Sequence, residues 1–267
     1  MDFPSALILG AVQGLTEFLP VSSTGHLVIA RELLGLQVEY GLLVDAVLHL
    51  ATALAVFLYF RADFIRLLVS LWRWIRHNDI HVRDRNLILA LILGTLPAVA
   101  LGIIFEDYIS GAVRSVEVVA FALIAGSLLF VFAEYVGKKN ILEEVKPRTG
   151  LRIGFFQALA LIPGMSRSGM AISAGLIFGL TREEAARFAF MLSFPIILGA
   201  GGLSLLRLSS DGILAELGFS ILGAAAAAFV TGWAAIHYLL KYLRHHTLGV
   251  FVVYRLALAA VLLFFVV

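Results

Sequence analysis

Between positions 13 and 26 the chain reads Gln-Gly-Leu-Thr-Glu-Phe-Leu-Pro-Val-Ser-Ser-Thr-Gly-His, which sets an acid, an imidazole and three consecutive hydroxyls inside an otherwise apolar region. Ionisable groups at membrane depth are costly and mark a site more often than they serve packing. Gln13 and Glu17 are four residues apart, so on a helix they share one face. Their oxygens suit a hard divalent cation such as Mg²⁺ or Ca²⁺, and Glu17 could equally act as a general base. Ser22, Ser23 and Thr24 precede a glycine and an expected helix start, where free N–H groups and the positive dipole end favour an anion. One hydroxyl is enough for capping, and three point to phosphate binding. His26 has the chemistry of a nucleophile, a general acid or a metal ligand, against the plainer role of a ring held by a carbonyl.

A second stretch, Pro-Gly-Met-Ser-Arg-Ser-Gly at 163–169, repeats the design with a guanidinium in place of acid and imidazole. Arg167 between Ser166 and Ser168 offers bidentate hydrogen bonds to phosphate oxygens and stabilises charge developing there; its structural alternative is a pair with Glu17 or with carbonyls. Acid, imidazole, hydroxyls and arginine together are suited to phosphate chemistry. Arg255 falls within the last apolar segment, where it supports the pocket or satisfies a carboxylate such as Glu134. Asp45 and His49 lie in the first span without an assigned partner.

The elements that must position these groups are membrane helices. With 61% hydrophobic and 14% charged residues and a mean hydropathy of +0.99, the 267-residue chain is too apolar for a soluble domain. Long apolar runs without strand-like alternation favour a helical bundle over a β-barrel. With no cysteine there is no disulfide framework or thiolate metal site. The first residues lack the basic region of a signal peptide, so the chain is read as mature from its start. Six segments are long enough to span: approximately 41–60, 86–106, 116–136, 183–206, 217–240 and 247–267. Two more apolar regions, 3–35 and 150–180, are each broken by one of the polar stretches and read as re-entrant helix pairs lining a polar cavity.

The two broken regions look like copies. A shift of 144 residues superposes Leu7 on Leu151, Gly10 on Gly154, Gln13 on Gln157, Leu15 on Leu159, Ser22 on Ser166, Gly25 on Gly169, Ala30 on Ala174, Gly35 on Gly179 and Leu36 on Leu180. The expected architecture is therefore all-α: one membrane domain of two inverted-topology repeats, about 1–137 and 150–267, each a re-entrant pair followed by three spans. Charge placement gives the orientation. The loop 61–85, the loop 137–152, the turn holding Arg182 and Arg187, and the segment 241–246 hold 15 of the 20 Lys and Arg residues, leaving only Arg114 and Arg207 in loops on the other side. By the positive-inside rule the first side is cytoplasmic, both termini are periplasmic, and the first re-entrant pair opens to the periplasm. Phe64, Leu67, Leu68, Leu71 and Ile75 against Arg66, Arg73 and Arg76 predict an amphipathic interfacial helix in the long loop. No nucleic-acid motif accompanies these basic residues.

The motifs at 13–26 and 163–169, with Tyr-Arg-Leu-Ala-Leu-Ala at 254–259, resemble the undecaprenyl-diphosphatase family, also called bacitracin-resistance proteins, over essentially the whole chain. The resemblance implies a bacterial inner-membrane phosphatase that removes one phosphate from undecaprenyl diphosphate, regenerating the monophosphate carrier for peptidoglycan precursors. It places the family's acidic motif on Gln13 and Glu17, its serine on Ser23, its histidine on His26 and its arginine on Arg167. Gln13 stands where the motif allows Glu or Gln, which argues against two ionised carboxylates on one metal. Ser23, His26 or water is the attacking group. Membrane lipids surround the chain, and a homodimer is a further expected partner state. A competing class is a transporter or flippase for a lipid phosphate, since inverted repeats with broken midplane helices are shared with transporters.

Overall fold

The computed structural model describes residues 1–35, 41–105, 115–137, 144–208 and 213–265. Leu36, Arg114, Lys138, Lys139 and the far ends of the segments reaching Glu106 and Val267 lie outside them. Within the described residues the fold is helical, without strands. Asp2 caps α1 (Phe3–Phe18) by accepting the Ser5 N–H at 2.7 Å, and Pro4 occupies its first turn, where a missing N–H costs nothing. The helix stops because Leu19 precedes Pro20: the proline ring pushes Leu19 to extended backbone. After a short turn α2 (Ser23–Leu33) begins.

The chain continues through α3 (Gly41–Tyr59), α4 (Arg61–Ile75), α5 (Val82–Ile104) and α6 (Val116–Val136). The second broken region follows as α7 (Pro147–Ala158), a short 3₁₀ turn Leu159–Leu161, and α8 (Arg167–Ile177). Here Ile162 precedes Pro163 and is extended for the same reason as Leu19. Then come α9 (Arg182–Leu208), α10 (Ile213–Leu243), which contains non-helical backbone at Gly218, and α11 (Gly249–Phe265).

Four of these helices, α5, α6, α9 and the 218–243 part of α10, are long and apolar enough to cross a membrane. The six expected spans are thus partly realised as such. The 19-residue α3 turns through 79° into α4, and α11 is apolar but only 17 residues long. The sharp turn at Phe60 lays α4 off the bundle. On α4, Leu67 and Ser70 are buried, while Leu68, Trp72 and Ile75 are exposed beside the arginines, as an interfacial helix requires.

The broken pairs are held crosswise. α1 lies mainly against α10 and α7 against α5; α3 pairs with α9, and α6 with α11. Glycines permit the two closest crossings. A Cβ on Gly10 would be driven into the Ala224 carbonyl, and one on Gly154 into the Gly94 carbonyl, so α1 and α7 touch their partners backbone to backbone. Between them lies a core that includes Phe18, Phe60, Phe130, Met170, Phe188 and Phe190, with Phe18 edge-on to Phe190 at 5.5 Å.

Candidate active site

Both breaks turn on a serine with positive φ, Ser22 at 73° and Ser166 at 72°. L-residues rarely adopt this backbone, and it persists only where surrounding contacts enforce it. The carbonyl of Ser22 accepts from the His26 ring. Ser166 caps α8, its Oγ accepting the Gly169 N–H at 3.3 Å; Ser168 Oγ donates to the Leu19 carbonyl at 3.3 Å, fastening the second break to the first. The turns bring together the N-termini of α2 and α8, whose first residues are Ser23 and Arg167. Two positive helix ends thus converge on one place.

Glu17 is the hub there, buried at the end of α1. Its Oε2 accepts from Ser23 Oγ at 2.8 Å and from Gln13 Nε2 at 3.0 Å, and lies 3.8 Å from His49 Nε2. Its Oε1 is 3.7 Å from Arg167 Nη1, an ion pair too long to be a hydrogen bond. That Nη1 is buried and has no hydrogen-bond partner, nor has Gln13 Oε1. A donor and an acceptor are therefore left ready beside the carboxylate, where unmade hydrogen bonds are costly unless a ligand completes them. The cluster opens into a cavity of about 290 Å³, lined by Ser23, Thr24, Asp45, His49 and Arg167 and, on its apolar side, by Leu27, Val28, Val119, Ala200 and Gly201.

Gln13, Glu17, Ser23 and Arg167 therefore meet, Thr24 faces the same cavity, and Ser22, Ser166 and Ser168 are buried in the turns. His26 does not join them. On α2 the cavity-facing stripe is Thr24, Leu27, Val28 and Arg31 with Ser23 at its edge, and His26 lies off it. Its Nδ1 is 2.8 Å from the Ser22 carbonyl, which can only accept, so Nδ1 carries the proton. Nε2 is then the acceptor for the Tyr254 hydroxyl at 2.5 Å, and the two rings stack at 5.6 Å.

Among the described residues Arg255 pairs with no carboxylate. Glu134 is taken by Arg182, which grips it through Nε at 3.0 Å and Nη2 at 2.6 Å, and by the Leu248 N–H at 2.9 Å. Fully buried, Arg255 instead donates to Ser127 Oγ and to the carbonyls of Ala122, Leu123, Gly164 and Met165, over the Phe130 ring. It clamps the backbone just ahead of Ser166 and Arg167. His49 and the ion pair of Arg31 with Asp45 are cavity residues to which the sequence reading assigned no role. For Asp45 and His49 the signal was present, as ionisable groups one helical turn apart in an apolar span.

Two further cavities, of about 290 and 470 Å³, lie at the other end of the bundle, beside the start of α9 and the end of α6. Their charged walls are knit by Arg187 with Asp63, Arg182 with Glu134, and Arg244 with Glu183 at 2.7 Å. The hydrogen bond to Glu183 holds Arg244, just beyond α10, above the usual arginine pKa.

Fold and site together define a class: a multi-pass helical membrane protein with a serine–carboxylate–arginine cluster between two broken helix pairs. The chain belongs to the family described as bacitracin resistance protein BacA, whose model matches residues 6–261. Among curated proteins it is similar to the undecaprenyl-diphosphatase of Rubrobacter xylanophilus, 43% identical over 97% of both chains. It is similar also to the undecaprenyl-diphosphatases of Alteromonas mediterranea, at 41% identity over 97% of both, and of Thioalkalivibrio sulfidiphilus, at 42% over 99% of both.

Proposed function

We propose that this chain hydrolyses undecaprenyl diphosphate to undecaprenyl phosphate and inorganic phosphate, recycling the lipid carrier of peptidoglycan synthesis. The observation that carries the reading is the 2.8 Å hydrogen bond from Ser23 to the Glu17 carboxylate, with the unpartnered Nη1 of Arg167 beside it at the cavity. A hydroxyl bonded to a base is an activated nucleophile. Ser23 Oγ attacks the terminal phosphorus while its proton passes to Glu17; the bridging P–O bond breaks and its electron pair leaves with the lipid monophosphate. Arg167 and the N-termini of α2 and α8 stabilise the charge on the transferring group. Glu17 passes its proton to the departing phosphate and takes another from the water that cleaves the phosphoserine. That proton returns to Ser23. With both ring nitrogens already bonded, His26 acts by fixing the Ser22 turn.

The donor set suits a divalent cation. Among the described residues no three His, Cys, Asp or Glu side chains gather into a metal site, but Glu17 with the buried, unpartnered Oε1 of Gln13 offers oxygen ligands that substrate phosphates would complete. Glu17 and Gln13 would hold the ion, and when bound it would neutralise charge on the diphosphate.

The crosswise pairing of α1 with α10 and α7 with α5, and the matched φ angles at Ser22 and Ser166, support two inverted repeats, about 1–137 and 150–267, within one domain. The cavity of the Glu17 cluster opens at the end of the bundle away from the arginine-rich cavities, which supports catalysis on the periplasmic side of the inner membrane, with both termini there. Inverted repeats also serve transporters, but lipid transport alone makes no use of a serine bonded to a carboxylate. The test is phosphate release from a long-chain polyprenyl diphosphate in detergent, with and without chelator. Cation-dependent release that collapses in Glu17→Ala and Arg167→Ala is expected. No release from folded protein with any cation would overturn the phosphatase reading and favour transport.

A further inference from the structure

His49 is the one side chain at the Glu17 cluster that the proposed chemistry leaves idle. Its Nδ1 lies 2.7 Å from the carbonyl of Asp45, one turn earlier on α3. A carbonyl only accepts, so Nδ1 carries a proton, and Nε2 is the ring atom turned toward the carboxylate. It lies 3.8 Å from Glu17 Oε2. The gap is too wide for a hydrogen bond, yet one ion at about 2.1 Å from each atom can bridge it. One acceptor in the cluster lacks a donor among the described residues: Gln13 Oε1 is buried and unpartnered, while the Nε2 of the same amide donates to Glu17. Glu17 Oε2 accepts from Ser23 and Gln13 yet keeps its side toward His49 Nε2 without a hydrogen bond, and the cavity reaches His49. An imidazole whose other N–H is anchored on a backbone carbonyl is the usual form of a histidine ligand. His26 cannot serve in its place, because both its nitrogens are engaged.

We propose that His49 supplies a nitrogen ligand to the cation held by Glu17 and Gln13, and so sets which cation the protein prefers. This rests on the phosphatase reading and its cation site. A nitrogen donor shifts a carboxylate–amide site away from Ca²⁺ and toward transition ions such as Mn²⁺. The facing charges are compatible with this: Arg167 approaches Glu17 on its other oxygen, Oε1, and Arg31 is neutralised by Asp45.

The experiment is pulsed electron paramagnetic resonance on the full chain in detergent with Mn²⁺ as probe, in unlabelled protein and in protein carrying ¹⁵N-histidine. The expected result is a nitrogen coupling that changes isotope with the label. In His49→Gln it should vanish, with Mn²⁺ affinity falling by about tenfold or more and Ca²⁺ affinity falling less. An all-oxygen Mn²⁺ shell, a coupling that survives His49→Gln, or no Mn²⁺ binding would each overturn the assignment. Phosphate release by the same unmodified sample separates the two failures. Release alongside an all-oxygen shell sinks only the role of His49, whereas no release with any cation sinks the phosphatase reading itself.

Discussion

At the scale of the residue, the decisive arrangement is an acid that serves several donors at once. With Ser23 as the proposed nucleophile, bonded to Glu17 at 2.8 Å, Ser23→Ala is expected to lower kcat by roughly 10³-fold or more with little change in KM. Substrate labelled at its terminal phosphate should leave label on the unmodified protein after a rapid acid quench, and none on Ser23→Ala. A labelled histidine instead of serine would reverse the roles given to Ser23 and His26. Arg167→Lys keeps the charge but loses the planar fork, and a drop of roughly 10²–10³-fold in kcat is expected. Much of this cluster was legible in the sequence, since Glu17, Ser23 and Arg167 are polar residues at breaks in apolar helices, where they have few reasons to be other than functional. His26 stands three residues from Ser23 in sequence, but its ring is bonded to the Ser22 carbonyl and to Tyr254. The tertiary contact with Tyr254, 228 residues away, turns its ring elsewhere. His49 was visible as an ionisable group in a span, but its meeting with Glu17 depends on how α3 lies beside α1, which no local pattern encodes.

At the scale of the element, one helix braces both breaks. Tyr254 and Arg255 are neighbours on α11; the first holds the ring of His26, and the second holds the carbonyls of Gly164 and Met165. Arg255→Met strips charged donors from several buried carbonyls, so a loss of about 3 kcal/mol or more is expected, read as a lower Tm in detergent. Tyr254→Phe removes one hydroxyl. It should cost no more than about 1 kcal/mol of stability while lowering kcat more than it raises KM. The close crossings make a separate prediction: Gly10→Val and Gly154→Val should each destabilise by about 1–3 kcal/mol, as overpacked contacts do. The breaks, the amphipathic α4 and most spans followed from composition and from residues such as Pro20 and Pro163. The end of the span at Phe60 was legible from Arg61 and Asp63, but the 79° angle between α3 and α4 was not, because hydropathy does not register a direction.

At the scale of the whole molecule, α6 and α9 each connect the arginine-rich end with the end that holds the Glu17 cavity, in opposite directions. The absence of cysteine in the sequence makes this testable with single introduced thiols. In intact cells with a permeable outer membrane, Ser204→Cys should react with a thiol reagent that cannot cross the inner membrane. Glu184→Cys should react only after lysis. The opposite pattern would invert the orientation proposed from charge. Crosswise packing also has a consequence for biosynthesis. The first helix made, α1, finds its main support in α10, which begins 210 residues after it in the chain. At ~5–20 residues per second that is a wait of roughly ten to forty seconds. Throughout that interval Gln13 and Glu17 lack α10, and until Ile177 has been made they lack the second broken pair as well. The nascent α1 thus waits for its main packing partner, and the Glu17 cluster is completed late in synthesis.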